Sequence, residues 1–249
     1  VENQALIGLS HIPDQPGIAA NLFESLSAIG VNVDLIIQST HEGNSNDITF
    51  TVSKEEYEKA LNECKKIIES FGGEFVSQKD MSKISISGAG IMGRPGIAAT
   101  LFETLSKSGI NLRLIATSEV KVSCVIDAHL GKKAIRSISE SFDLNNKQIQ
   151  INPYISENNS PEVRGVALDP DQAQVSVKKV PDKPGTAAAI CSVLAEAGIS
   201  LDSIFQSERK HSDGSRDISF TLKKNDLKSA AKSLNPLIIK WEKAELKHG

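Results

Sequence analysis

Asp14-Gln15-Pro16-Gly17-Ile18-Ala19-Ala20-Asn21-Leu22-Phe23-Glu24-Ser25-Leu26, running on to Val33-Asp34-Leu35-Ile36-Ile37-Gln38-Ser39, decides how this chain is read, because the pattern occurs three times. It returns as Gly93-Arg94-Pro95-Gly96-Ile97-Ala98-Ala99 with Leu112-Arg113-Leu114-Ile115-Ala116-Thr117-Ser118. It returns again as Asp182-Lys183-Pro184-Gly185-Thr186-Ala187-Ala188 with Leu201-Asp202-Ser203-Ile204-Phe205-Gln206-Ser207. Each copy reads as strand, Pro-Gly turn, helix, strand. The turn glycines at 17, 96 and 185 stand 79 and then 89 residues apart, too far for a solenoid repeat, so each copy is expected to be a small domain with its own core.

Outward from the first turn, Ala5 to Ile12 is rich in Leu and Ile and suits a half-buried strand. Pro13 and Pro16 stop it by removing ladder donors, and Asp14 stands where a helix cap would. Ile18, Leu22, Leu26 and Ile29 recur at helical spacing, and Gly30 closes the helix. Val33 to Ile37 is a dense apolar strand, Thr40 to Asn46 a hairpin loop, and Asp47 to Val52 an alternating strand. Ser53 and Glu56 have capping-box spacing ahead of a helix through Ser70, and Glu74 to Gln78 is a fourth strand.

Copy two repeats the order with strands Lys83 to Ser87, Asn111 to Ala116, Lys121 to Ile126 and Gln148 to Ile151, and helices Ile97 to Ser108 and Lys132 to Phe142. Asn158 to Pro161 reads as a linker, and Val163 to Leu168 as an extra strand. Copy three has strands Gln174 to Val180, Leu201 to Gln206 and Asp217 to Leu222, and helices Thr186 to Ala197 and Asp226 to Leu234. Copies one and three share Pro-Asp-x-Pro-Gly, a Gln-Ser strand end and Asn/Arg-Asp-Ile-Thr/Ser-Phe-Thr; copy two lacks all three, so the order is A-B-A. The fold class is α+β: tandem ferredoxin-like βαββαβ units with antiparallel sheets, paired side by side to cover their edges. Unit 1 spans 1–80, unit 2 spans 81–157, and unit 3 spans 158–249 with 163–168 as its lead strand and its own type B partner missing. The ends look cut.

The 249 residues carry 39% hydrophobic and 24% charged side chains and a net charge of −3, a balance that favours neither nucleic acid nor membrane. No apolar run reaches the roughly 20 residues that span a bilayer, and no signal peptide is present, so the expected compartment is the cytoplasm, or a plastid after loss of a transit peptide. Cys64, Cys124 and Cys191 form no C-x-x-C and read as reduced, buried thiols. The five histidines show no metal-ligand spacing. Gly88-Ala89-Gly90-Ile91-Met92-Gly93 satisfies G-x-G-x-x-G. Copies one and three make the same strand-helix junction without those glycines, and the next strand carries Asn111 and Arg113 in place of a ribose-binding acid.

Pro13-Asp14-x-Pro16-Gly17 with Val33-Asp34 and Gln38-Ser39, followed by Gly88-Ala89-Gly90-Ile91-Met92 with Thr117-Ser118-Glu119, resembles the ACT domains of aspartokinase regulatory regions over essentially the whole chain. A four-unit arrangement, as in cyanobacterial-type aspartokinases, accounts for A-B-A. The resemblance implies feedback inhibition by lysine or threonine and, as partners, an aspartokinase catalytic domain and a second copy in a homodimer. The alternative is a purely structural dimerisation module. No phosphate loop is present, so no cofactor is expected here; ATP and Mg belong to the absent kinase domain.

A free amino acid presents a carboxylate and an ammonium on one carbon. Helix-end N–H groups at Gly17, Ile18 and Ala19 suit the carboxylate, Asp14 the ammonium, and Gln38 the remainder. Asp182, Gly185, Thr186, Ala187 and Gln206 repeat the set. The resemblance implies that strand residues of a partnering unit close such a pocket, the matching positions being Asn111 and Leu112, with Thr117, Ser118 and Glu119 toward the strand end. Unit 3, lacking its partner in this chain, is expected to have a half-built pocket unless a second chain supplies the wall.

Overall fold

The computed structural model describes all residues except 1, 42–44, 89–90, 92–93, 119, 145–148, 150–167, 207–209 and 249. In order, the elements of unit 1 are β1 (Gln4–Pro13), α1 (Ile18–Ala28), β2 (Val33–His41), β3 (Ser45–Ser53) and α2 (Tyr57–Phe71). Then follow β4 (Glu74–Ser87), α3 (Ile97–Lys107), β5 (Leu114–Ser118), β6 (Lys121–Asp127) and α4 (Gly131–Ser141). The last group is β7 (Gln172–Val180), α5 (Thr186–Glu196), β8 (Ser203–Gln206), β9 (Arg216–Lys223), α6 (Leu227–Lys240) and β10 (Glu245–His248). The expected strands Gln148 to Ile151 and Val163 to Leu168 fall on or next to positions outside the described residues.

The described strands form one ten-stranded antiparallel sheet in the order β10-β7-β9-β8-β5-β6-β4-β1-β3-β2. Units 1 and 3 each show the 4-1-3-2 order of a ferredoxin-like unit within it. Two joints make the three sheets continuous. At the first, β4 runs for 14 residues: Glu74 to Met81 pair with β1 and Met81 to Ser87 with β6, so position 80/81 lies inside a strand. At the second, the edges β5 and β8 meet at Ile115 and Gln206.

Because successive strand residues point to opposite faces, the alternation decides which core each side chain joins. Ala5, Ile7 and Leu9 of β1 pack under α1 and α2 with Leu22, Leu26, Phe50 and Cys64. Leu6, one residue out of phase, faces the other way and meets Ile37, Met81, Leu114 and Val125. The sheet of unit 1 therefore lies with its helix-free face against that of unit 2. The expectation of one core per copy is corrected for units 2 and 3: Phe102, Leu105, Ile190, Leu194 and Phe220 belong to a single apolar cluster beneath α3 to α6. Their helices approach closely enough that Ser192 Oγ donates to Glu103 Oε1 at 2.9 Å across the join.

Lys83 of β4, 8% exposed, forms an ion pair with Asp34 of β2 between units 1 and 2. The Asp-Ile-Thr/Ser-Phe motif has a local task. β1 and β7 both carry a bulge, at His11 (φ 57) and Lys179 (φ 55), and the exposed backbone N–H donates to Asp47 Oδ1 (3.0 Å) and Asp217 Oδ1 (2.9 Å) respectively. That bulge turns the chain into the Pro-Gly corner.

Two expectations about unit 3 fell short. α6 runs past Leu234 and through Pro236 to Lys240, because Leu237, Ile238 and Trp241 pack on the core and offset the lost backbone hydrogen bond. β10, too polar to read as a strand, pairs with β7 over Glu245 to His248.

Candidate functional site

Each of the three repeated turns ends in a glycine with left-handed backbone, Gly17 (φ 96), Gly96 (φ 101) and Gly185 (φ 97), directly before α1, α3 and α5. A side chain there would be strained, so glycine is needed to swing the chain into the helix. No side chain caps any of the three helices. The aspartates at the turns are therefore not helix caps. Among the first amides, Ile18 N–H and Thr186 N–H donate within the turn to Gln15 O (3.4 Å) and Lys183 O (3.3 Å). The helix ends keep their positive partial charge.

The join between units 2 and 3 has approximate two-fold character and makes two pockets, each with a turn from one unit and a strand from the other. In the first, the turn Asp182-Gly185 with Thr186 and Ala187 faces Asn111 and Leu112, with Gln206 and Arg216 at the floor. Asn111 Nδ2 donates to Asp182 Oδ1 at 3.0 Å, and Gln206 Nε2 to Leu112 O at 3.4 Å. Lys210 Nζ lies 2.7 Å and Arg216 Nε 3.1 Å from Asp182 Oδ2. Burial alone would raise the Asp182 carboxyl, but the hydrogen bonds from Lys210 and Asn111 and the charge of Arg216 outweigh it and hold the group below the usual aspartate range.

The second pocket sets Arg94, Pro95 and Gly96 of the unit 2 turn against Leu201 and Asp202 of unit 3, with Thr117, Ser118 and an apolar wall of Ala98, Val122, Ala195 and Ile204. Thr117 Oγ1 accepts from Ile204 N at 2.8 Å, fixing one wall. Asp202 Oδ2 is buried with no hydrogen-bond partner among the described residues. The same pocket is lined by Arg94 and by Gly96 at the positive end of α3, so it offers anionic and cationic groups together with an apolar wall.

Unit 1 contributes a third turn. Asp14 is exposed and accepts from Asn46 Nδ2 at 2.7 Å. Ile18 is buried, Ala19 half-buried, and Gln38 exposed on β2, the last strand of the sheet. Asn111 and Leu112 line the pocket of the third turn, and the expectation of a half-built unit 3 is corrected, because its β8 edge takes unit 2 as partner while unit 1 is tied to unit 2 by β4. Glu119 lies outside the described residues. Arg216, Lys210, Asp202 and Arg94 are additions that the repeat pattern did not single out. Among the described residues no group of three His, Cys, Asp or Glu side chains is placed to hold a metal, and no helix is long and apolar enough to cross a membrane.

ACT-domain family models match residues 6–67 and 84–142, and separately 173–238. The chain belongs to the ACT family, as an aspartokinase-type regulatory region. Within that family it is 38% identical over 144 residues to an aspartokinase of Thermus thermophilus, covering 57% of this chain and 36% of that one. It is 36% identical over 143 residues to an aspartokinase of Pseudomonas aeruginosa, 35% of that chain being covered. The crystal structure of an aspartate kinase from Synechocystis superimposes over 100% of this ACT chain and 43% of its own, with 42% identity and a TM-score of 0.91. The ligand-free regulatory subunit of the T. thermophilus enzyme matches 56% of this chain and 93% of its own at 38% identity and a TM-score of 0.53. The chain thus spans about a third of the length of the curated relatives it matches.

Proposed function

We propose that this chain senses an end-product amino acid, lysine or threonine, for an attached or associated aspartate kinase catalytic domain, and lowers aspartate phosphorylation when the amino acid is bound. The observation that carries the reading is the second pocket at the join of units 2 and 3. There a buried carboxylate oxygen of Asp202, without a hydrogen-bond partner among the described residues, lines the same pocket as the N-terminal end of α3 and an apolar wall. An ammonium suits Asp202 and a carboxylate the helix end. Relatives that are aspartokinases support the same reading.

Regulation follows from the pocket's construction out of two units. A ligand that touches both walls favours the arrangement in which they are correctly spaced, and the equilibrium shifts only by the ratio of its affinities for the two arrangements. A tenfold shift requires about 1.4 kcal/mol, within the range of one charge-assisted hydrogen bond. Calorimetric titration of the chain with lysine and with threonine tests the proposal: binding of either is expected, and no heat and no thermal stabilisation from both at millimolar concentration would remove it. Homodimerisation, expected from the resemblance, is checked in the same samples by sedimentation with and without ligand.

A further inference from the structure

The turns of units 1 and 3 have the same sequence pattern, Pro-Asp-x-Pro-Gly, yet their aspartates are in opposite electrical situations. The strand residue that reaches each turn occupies the same register: Asn46 pairs with Ile12 in unit 1, and Arg216 pairs with Val180 in unit 3. In unit 1 the exposed Asp14 has the neutral Asn46 amide as its partner among the described residues. In unit 3, Arg216 is 1% exposed, and its Nε lies 3.1 Å from Asp182 Oδ2 while Nη1 donates to Arg113 O of unit 2 at 2.8 Å.

A guanidinium keeps its charge at any accessible pH, so once buried it must stay paired. Lys210 and Asn111 also bind Asp182, at Oδ2 and Oδ1, and two cations on one carboxylate leave the cluster with one net positive charge.

Building on the effector-binding reading above, we propose that the Asp182 pocket is self-occupied: Arg216, with Lys210 and Asn111, stands where the ammonium of an amino acid would go. The pocket clasps units 2 and 3 without ligand, and Arg216 is the residue that makes it refuse one. Of the two pockets at this join, only the one at Asp202 responds to an amino acid. An asparagine at 216, as unit 1 has at 46, restores the negative pole.

The test uses the full 249-residue chain. Asp202→Asn removes the responsive pole and is expected to weaken calorimetric binding of lysine and threonine at this join about 10- to 150-fold. Adding Arg216→Asn in that background is expected to create binding of at least one of them, a gain of tenfold or more; a folded double variant without that gain overturns the proposal. A measurement on the unmodified chain is independent of any variant's folding. During an NMR titration with either amino acid, the Ile204 backbone amide signal should move while the Asn111 side-chain amide signal stays in place. Saturable movement of the Asn111 signal overturns the self-occupied pocket and leaves the effector reading intact, whereas silence of both signals removes the effector reading; the double variant then still decides the role of Arg216.

Discussion

Asp202→Asn separates a ligand-binding carboxylate from a structural one because the two roles predict opposite signs. The substitution keeps the shape of the side chain and removes its charge. In the ligand-free chain, Asp202 Oδ2 is buried without a hydrogen-bond partner among the described residues, and a stranded polar atom costs about 1–3 kcal/mol. A neutral amide is cheaper to desolvate than a carboxylate, so the variant is expected to gain up to about 1 kcal/mol, or roughly 2–4 °C in melting temperature for a chain of this size. With ligand the sign reverses. Loss of a charge-assisted hydrogen bond costs about 1.5–3 kcal/mol, which is about 10- to 150-fold in affinity. Differential scanning fluorimetry with and without lysine and threonine reads both effects on one sample. An affinity within twofold of the original, together with a lower melting temperature without ligand, would refute the reasoning, since Asp202 would then be stabilising the join by a contact of its own.

Gly72 and Gly73 form a matched pair: both have positive φ (82° and 107°), but a Cβ at Gly72 meets nothing within 4 Å whereas one at Gly73 would lie 2.6 Å from the Ser10 carbonyl oxygen. Gly72→Ala should cost about 1–3 kcal/mol from backbone strain, and Gly73→Ala about 1–3 kcal/mol more, because β1 cannot yield; urea midpoints of the two variants compare them directly. Lys83→Met strands the partly buried Asp34 carboxylate and should cost about 3 kcal/mol, while Lys83→Met with Asp34→Leu should recover much of it in a double-mutant cycle followed by thermal melting. Burial pushes the thiols of Cys64 and Cys191 up to about 12 and raises that of Cys124 further. Iodoacetamide at pH 8 should therefore label none of the three until the chain unfolds, as counted by mass spectrometry. The Asp182 carboxyl is held below its ordinary 3.8; its contribution to stability is full above that value and is lost as the pH falls through the lowered one. Acid titration of ellipticity should show a transition in that window that Asp182→Asn with Arg216→Asn removes.

The repeat itself was legible because its physical requirements are local. A left-handed corner needs glycine, the bulge before it needs an acid to take the exposed N–H of His11 or Lys179, and both leave letters in the sequence. Which units pair was not legible. β2, β5 and β8 are similar apolar strands, so nothing in the pattern says whether β5 should meet β2 or β8; the continuity of β4 through Asp80 and Met81 decides it by holding unit 1 on the opposite side of unit 2. Asp14 stands where a helix cap would, yet no side chain caps α1 or α5; the letter that sets the partners of the two turn aspartates apart, Asn46 against Arg216, falls within a shared motif. Its meaning depends on burial, and burial at that position is created by the neighbouring unit. The same dependence hid β10 and the end of α6, whose residues become apolar in effect only once β7 and the joint core are in place.

The two joints of the sheet are built differently. Units 1 and 2 share a single strand: any relative tilt bends β4, whose seven register pairs with β6 begin at the residue where its pairing with β1 ends. Units 2 and 3 meet at one bridged residue pair, Ile115 with Gln206. Beyond the apolar core that units 2 and 3 share, side-chain bonds cross that join, among them Asn111 to Asp182, Thr117 to Ile204 N, Gln206 to Leu112 O, Arg216 to Arg113 O and Ser192 to Glu103. Each such bond contributes only about 1 kcal/mol net, or 1.5–3 where a charge takes part. A ligand supplying 1.4 kcal/mol is therefore comparable with any single bond at the join and small against the strand that ties unit 1 to unit 2. Gln206 of that bridged pair also lines the pocket at Asp182.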